Sequence, residues 1–455
     1  MASWESYLEE KEKDHLEELL ELLRIPSISA LPEHEKDVRK AARWTKERLE
    51  KAGLEKVAIL ETGGHPVVYG EWLHQEGKPT VLIYGHFDVQ PVDPLHLWTH
   101  PPFDPKVEDG RIYARGASDN KGNFVLAIMA VEALLKSEGS LPVNVKFLIE
   151  GQEEIGSPEL PSFLQKHKDL FKADLGLSTD GSNLGEDTPS LVVGARGLCA
   201  LQVDVLGAKS DLHSGLYGGT IRNPLQALVE ILAALSRDGK IQVEGFFDKV
   251  RMPSDEERAL YRKVPHDDDA YARELGVPEV AGEPGFTTLE RAWIRPTLEL
   301  NGIWGGFHGE GIKTVLPESA HAKISCRLVP DQDPDEILQL LKKAILEKAP
   351  SGVRVEVTEF PGRARPYLIS LDHPALKAAR RVLEEVYGQP AYITRTGGTV
   401  PVLELFREVL GIDTVTVAFG TDDERFHAPD EFFRVKNFKR GRIGYGRFLQ
   451  EMGKA

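Results

Sequence analysis

Cysteine is almost absent: there are two in 455 residues, Cys199 and Cys326. Two thiols cannot build a disulfide framework or a cysteine metal site. Each lies in an apolar run, so both are expected as buried, reduced side chains. Basic charge is also in deficit. Lys and Arg total 56 against 72 Asp and Glu, a net charge of −16, with no basic run to overrule the average. That excludes nucleic acid and anionic membrane as partners, since both require a basic patch. No stretch approaches the roughly 18 consecutive apolar residues of a membrane span. The first residues, Met-Ala-Ser-Trp-Glu-Ser-Tyr-Leu-Glu-Glu-Lys-Glu-Lys, are charged and lack the apolar segment of a signal peptide, so a cytoplasmic location is expected. Asn (7) and Gln (11) are scarce beside Glu and Arg, which leans toward a thermophilic source. Internal repeats and low-complexity segments are missing.

With these classes set aside, 455 residues at 41% hydrophobic and 8% aromatic describe a globular chain too long for one core. Helices are predicted over 4–24, where Leu16, Leu19, Leu20 and Leu23 recur at helical spacing, and over 35–53, where Gly53 stops the run. Strands follow near 55–60, 67–72 and 80–85. A helix is predicted over 122–137, a strand over 143–150, a helix over 158–168 and a strand over 175–179. This alternation is that of a mostly parallel α/β sheet flanked by helices. The rhythm changes after about 190. A strand at 198–206, a helix at 223–237, a polar, Pro-dotted stretch at 245–296, a strand at 321–329, a helix at 334–349 and a strand at 353–360 suggest a ferredoxin-like α+β unit. A helix at 374–387 and a strand at 413–419 return to the first style. The expected organisation is a catalytic domain in two parts, 1–193 and 365–455, interrupted by an inserted domain over 194–364.

What the chain does have is a set of His and carboxylate residues, most of them where apolar runs break. They are Tyr-Gly-His-Phe-Asp (His86, Asp88), Gly-Ala-Ser-Asp-Asn-Lys-Gly (Asp119), Gly-Gln-Glu-Glu-Ile-Gly (Glu153, Glu154), Ser-Thr-Asp-Gly (Asp180) and Phe-His-Ala-Pro-Asp-Glu (His427). Strand ends are where open α/β sheets build their sites. A His and carboxylate set without Cys suits a hydrolytic zinc, manganese or cobalt centre. Each motif alone is bland: His-x-Asp is common, and a Glu-Glu pair is usually a solvated face. The joint arrangement carries the weight. Two metals sharing a bridge need one common carboxylate and about two further ligands each. Asp119 is the candidate bridge, with His86 and Asp180 completing one metal and Glu154 and His427 the other. Asp88 shares a strand face with His86 and is placed to hold its second ring nitrogen. Of the adjacent Glu153 and Glu154, one can ligate while the other serves as general base. The Gly116–Gly122 segment lacks the spacing and ending of a phosphate-binding loop.

The stretch from His86 through Trp98, Pro101-Pro-Phe and Arg115-Gly-Ala-Ser-Asp-Asn-Lys-Gly resembles the carnosinase and non-specific dipeptidase group. That group is part of the aminoacylase, desuccinylase and glutamate carboxypeptidase clan of di-metal hydrolases. The resemblance continues through Gly151-Gln-Glu-Glu-Ile-Gly-Ser, Asp211-Leu-His-Ser-Gly, Lys313-Thr-Val-Leu-Pro, Cys326-Arg-Leu-Val-Pro and Arg395-Thr-Gly-Gly-Thr-Val-Pro to His427. It implies two divalent ions, zinc first and manganese or cobalt as alternatives, held by His86, Asp119 and Asp180 and by Asp119, Glu154 and His427. It implies Glu153 as general base and a cis peptide at Asp119–Asn120. It implies that the inserted domain is a lid and dimerisation domain, whose His213 reaches a neighbouring subunit's site to stabilise the oxyanion. Arg327 and the Gly397-Gly398-Thr399 turn match the holders of the substrate's terminal carboxylate, with Thr399 where Ser is usual. Asn301 stands where animal carnosinases carry His, which points to the bacterial branch. The expected activity is hydrolysis of dipeptides with a free C-terminal carboxylate by a homodimer. Deacylation of N-acyl amino acids is the alternative.

Overall fold

The computed structural model describes residues 3–237 and 239–454. The chain divides into two compact units. The first comprises Met1–Val193, Ile369–Thr394 and Leu405–Ala455; the second comprises Gly194–Leu368 and Arg395–Glu404.

The first unit is built on a six-stranded sheet ordered Glu55–Leu60, Val67–Trp72, Asn144–Glu150, Thr80–His86, Leu175–Ser178, Thr414–Thr416. The last four strands run parallel, and the first two form an antiparallel edge. The strand Thr80–His86 lies third from one edge. Its run Val-Leu-Ile-Tyr is buried on both faces, as expected of a strand covered by helices on each side. Helix Lys121–Glu138 is buried over its first fourteen residues, so its apolar run Phe124–Val131 packs all round rather than on one stripe. Helix Glu35–Ala52 ends at Gly53, which takes a left-handed φ of 100°. The predicted helix over 4–24 is two helices, Trp4–Glu10 and Glu12–Leu23, separated at Lys11.

Helix Val435–Gly453 was not expected, because Gly441, Gly444 and Gly446 would weaken an isolated helix. Packing explains them. A Cβ on Gly444 would sit 2.2 Å from the Phe419 ring, and one on Gly446 would sit 2.5 Å from Trp4. The glycines admit neighbouring aromatic rings to the helix backbone.

The second unit holds a four-stranded antiparallel sheet ordered Thr297–Gly305, Ser319–Leu328, Gly197–Leu206, Arg354–Glu359. Helices Pro224–Leu235 and Pro334–Glu347 connect these strands in the β-α-β-β-α-β order of a ferredoxin-like unit. They share a core with Cys199, Leu201, Val203, Ile324, Cys326 and Leu328. Both cysteines are free and buried, and they face each other across neighbouring strands. Strand Thr297–Gly305 was not expected. It is an edge strand, mostly exposed, without apolar alternation. The stretch 245–296 contains three short helices, Asp255–Tyr261, Asp268–Leu275 and Thr288–Ile294. Two of them open with capping boxes, Ser254 with Glu257 and Thr287 with Glu290, a signal that was present in the sequence. Among the described residues no helix is long and apolar enough to cross a membrane.

Candidate metal centre

The parallel strands deliver their carboxyl ends to one place. His86 is the last residue of its strand, and Asp180 lies two residues beyond the strand Leu175–Ser178. Glu153 and Glu154 open a 3-10 turn just after the strand Asn144–Glu150. Asp119 lies two residues before helix Lys121–Glu138, next to its N-cap Asn120, and the Asp119–Asn120 peptide is cis.

Two ligand groups result, His86 with Asp119 and Asp180, and Asp119 with Glu154 and His427. Within each group one donor atom per residue lies within 4.8 Å of the others. His86 Nε2 is 3.1 Å from Asp119 Oδ1 and 3.8 Å from Asp180 Oδ2. His427 Nε2 is 3.0 Å from Asp119 Oδ2 and 3.2 Å from Glu154 Oε2. The two oxygens of Asp119 therefore face different histidines.

Neighbouring groups fix this arrangement. His86 Nδ1 lies 3.1 Å from the carbonyl oxygen of Asp88 and 3.5 Å from its carboxylate. The fully buried Asp88 carboxylate accepts the backbone N–H groups of Glu153 at 3.2 Å and Glu154 at 3.1 Å. Asp88 thus ties the turn carrying both glutamates to the strand end carrying His86. Gln90 donates to Glu154 Oε2 at 2.9 Å. Asn120 accepts the His86 N–H and donates to the Thr179 carbonyl. Gly85 is required at that crossing, because a Cβ there would meet Phe124, Asn120 and Thr179 at 2.7–2.8 Å.

Glu431 is a site residue that the sequence reading did not single out. It is fully buried, and its carboxylate accepts the N–H groups of Gly116, Ser118 and Asp119 at 2.9–3.1 Å, with the Arg115 guanidinium at 2.8 Å. Arg115 also lies over the Trp98 ring. The only sequence signal was the closeness of Glu431 to His427. His427 itself has a left-handed φ of 58° and is half exposed, unlike the buried His86.

The electrostatics of the cluster call for cations. Five carboxylates, Asp88, Asp119, Glu153, Glu154 and Asp180, face only two histidines. Burial, with the neighbouring carboxylates, pushes Glu153 up to about 9 and Asp180 up to about 7, and burial raises Glu154. Hydrogen bonds to Asp119 and Glu154 push His427 up to about 10. Burial opposes the charge on His86, yet its bonds to Asp119 and Asp88 hold it well above the ordinary imidazole range. Divalent ions reverse this pattern, since they favour ionised carboxylates and neutral imidazoles. The donor set, two imidazole nitrogens and carboxylate oxygens without thiolate, suits borderline or hard divalent metals.

The remaining predicted residues lie in the second unit. His213 is exposed, at the end of a two-residue strand paired with Val315–Leu316, and its Nδ1 accepts the Gly215 N–H. Asn301 is the exposed extra residue of a β-bulge in strand Thr297–Gly305. Arg327 Nη1 donates to Thr399 Oγ1 at 2.6 Å. The Gly398 N–H is engaged by the Thr396 hydroxyl.

Comparison with known proteins fits this geometry. The profile of Peptidase family M20/M25/M40 matches residues 82–451. The chain belongs to this family. It is 32% identical over 393 residues to a human Beta-Ala-His dipeptidase, covering 85% of this chain and 77% of that protein. It is 30% identical over 450 residues to a Cys-Gly metallodipeptidase of Schizosaccharomyces pombe, covering 95% and 94%. Among solved structures, an M20 family metallo-carboxypeptidase from Sulfolobus solfataricus superimposes with a TM-score of 0.83 at 35% identity, covering 97% of this chain and 99% of that one. The α/β sheet expected from the sequence, and the family that its motifs resemble, are those of the M20 peptidases.

Proposed function

We propose that this M20 peptidase is a di-metal dipeptidase acting on dipeptides with a free C-terminal carboxylate. The single observation that supports it best is Asp119, whose two oxygens each face a different His and carboxylate group, with the backbone N–H of Glu153 held by Asp88. His86, Asp119 and Asp180 would hold one ion and Asp119, Glu154 and His427 the other, with zinc as the first choice and manganese or cobalt as alternatives. When bound, a pair of divalent ions polarises the scissile carbonyl and acidifies water.

Glu153 takes the proton of the attacking water on its carboxylate and returns it to the leaving amine nitrogen. Asp88 keeps Glu153 in position through its backbone N–H. His213 donates to the developing oxyanion from a neighbouring subunit, which makes the second unit a lid and the assembly a two-fold dimer. Arg327, with the Thr399 hydroxyl and the Gly398 turn, holds the terminal carboxylate, and Asn301 borders that end of the substrate. A cytoplasmic location belongs to the same reading. That the similar proteins are named dipeptidases supports the peptide reading over the N-acyl amino acid one.

The test is metal removal and return. Chelation should abolish cleavage of dipeptides, and zinc, manganese or cobalt should restore it with two ions per chain by elemental analysis. Faster turnover of N-acetyl amino acids than of dipeptides would shift the assignment to deacylation. Full activity with one ion per chain would remove the two-metal reading.

A further inference from the structure

Two of the sequence motifs, Asp211-Leu-His-Ser-Gly and Lys313-Thr-Val-Leu-Pro, meet in the second unit. They extend the two central strands of its sheet. Ser319 pairs with Leu206 at the sheet's end, and beyond it Leu212 pairs with Leu316 and His213 with Val315. The Ser214 N–H donates to the Thr314 carbonyl at 3.0 Å and closes the extension past His213. Its two sides are unequal. Between the pairs Leu206 with Ser319 and Leu212 with Leu316, one side has five residues, 207–211, and the other has two, Pro317 and Glu318. Such a surplus interrupts the ladder and bends the strand that carries it. The direction of His213 therefore depends on what bridges the bulge.

Asp211 bridges it. Its Oδ1 accepts the Glu318 N–H at 3.1 Å, and its Oδ2 accepts from Lys313 Nζ at 2.8 Å. The Glu318 carbonyl takes the Gly207 N–H at 2.8 Å. Both backbone groups of Glu318 are thus bound by the two ends of the bulge. Pro317 has no N–H, so Glu318 is the one backbone donor that the short side can offer. The Lys313 pair is exposed on both sides, and an exposed ion pair adds little stability. It aligns the carboxylate rather than holding the fold.

The His213 ring has a fixed contact of its own. Its Nδ1 accepts the Gly215 N–H at 3.0 Å. A ring nitrogen that accepts carries no hydrogen, so in the neutral ring the hydrogen is on Nε2, which can donate. Gly215 leaves room for this bond, because a Cβ there would stand 2.9 Å from His213 Cε1.

We propose that Asp211 is the positioning residue for His213: by joining Glu318 and Lys313 across the bulge it aims the imidazole, whose Nε2–H the Gly215 amide sets as the donor. This rests on the reading of His213 as a donor to the oxyanion. An oxyanion exists only as the reaction proceeds, so a misdirected donor costs turnover rather than substrate binding.

The experiment is a double-mutant cycle on the metal-loaded full chain, with Ala-Ala as substrate and kcat and KM measured separately. His213→Ala should lose about 10²- to 10³-fold in kcat. Asp211→Ala should lose about 10- to 100-fold in kcat with KM little changed, the cost of displacing a donor by about an ångström. Adding Asp211→Ala to His213→Ala should cost nothing more, since the two residues act as one unit. Asp211→Asn, which retains the oxygen facing the Glu318 N–H, should recover most of the Asp211→Ala loss. A full Asp211→Ala loss on top of His213→Ala would show a general structural role and overturn the proposal, as would parental kcat in Asp211→Ala. Asp211→Asn no better than Asp211→Ala would also overturn it. Parental kcat in His213→Ala is a different failure: the oxyanion reading itself falls, and the positioning role with it.

Discussion

Glu431 Oε1 accepts the backbone N–H of Asp119 at 3.1 Å, although 312 positions separate them in the chain. The same carboxylate takes Gly116, Ser118 and Arg115, so one buried side chain sets the course of the loop that carries Asp119. Glu431→Gln replaces an acceptor oxygen with an NH2 group facing backbone donors. It should weaken metal affinity by about 10- to 100-fold, the usual effect of losing a group that orients a ligand. It should also lower thermal stability by about 3–5 kcal/mol, because Arg115 is left buried without its partner. Metal titration and melting curves check both parts.

Glu153→Gln tests the division of labour within the adjacent pair. The variant should bind two ions like the parent and lose about 10²- to 10⁴-fold in kcat. Loss of an ion, seen by elemental analysis, would reverse the roles given to Glu153 and Glu154.

Glu132 offers a pH test away from the site. It is buried under the N-terminal helices, with Arg48 and His15 on one oxygen and the Tyr7 hydroxyl on the other. Burial alone would raise this carboxyl, but His15 and Arg48 lower it from 4.5 to about 2. A depressed carboxylate stabilises the folded chain above its unfolded value, and the contribution is lost as pH falls through the folded value. Glu132→Gln should therefore be less stable than the parent by about 2–3 kcal/mol at pH 7. The difference should shrink between about pH 4.5 and pH 2. Denaturant melts of both proteins across that range measure it.

His213 is tested by complementation. Glu153→Gln and His213→Ala chains, each nearly inactive alone, should regain activity when co-assembled, since one of the two sites then combines an intact Glu153 with the partner's intact histidine. Loss of one oxyanion donor typically costs about 10²- to 10³-fold in turnover. Verified heterodimers with no recovery would place His213 outside the reaction.

Much of the first unit was legible in the sequence because its inner strands are buried on both faces. Runs such as Val81–Tyr84 and Phe147–Ile149 are continuous and apolar, and each ends in Gly or a titratable residue. Most of the five ligand candidates were visible because they stood where such a run or a glycine loop broke; His427 was marked by the resemblance of its motif. Glu431 was not, since a carboxylate that accepts backbone N–H groups carries no periodic or compositional mark. Strand Thr297–Gly305 escaped because its exposed edge position removes the alternation that marks a half-buried strand. Helix Val435–Gly453 escaped because local propensity argued against it, and tertiary packing of Phe419 and Trp4 on its glycines prevailed.

The first unit closes on itself only with its last segment, Leu405–Ala455. That segment supplies both His427 and Glu431. While the chain is being synthesised from its N-terminus, His86, Asp119, Glu154 and Asp180 emerge long before the residues that orient and complete them. The nascent protein carries a surplus of acidic side chains without the His427 imidazole and without the Glu431 carboxylate that shapes the Asp119 loop. On the proposed two-ion reading, acquisition of the full complement is a late event in the life of the polypeptide. A C-terminal deletion that removed Glu431 and the helix after it would produce a chain deficient in metal, with most of its sheet sequence intact.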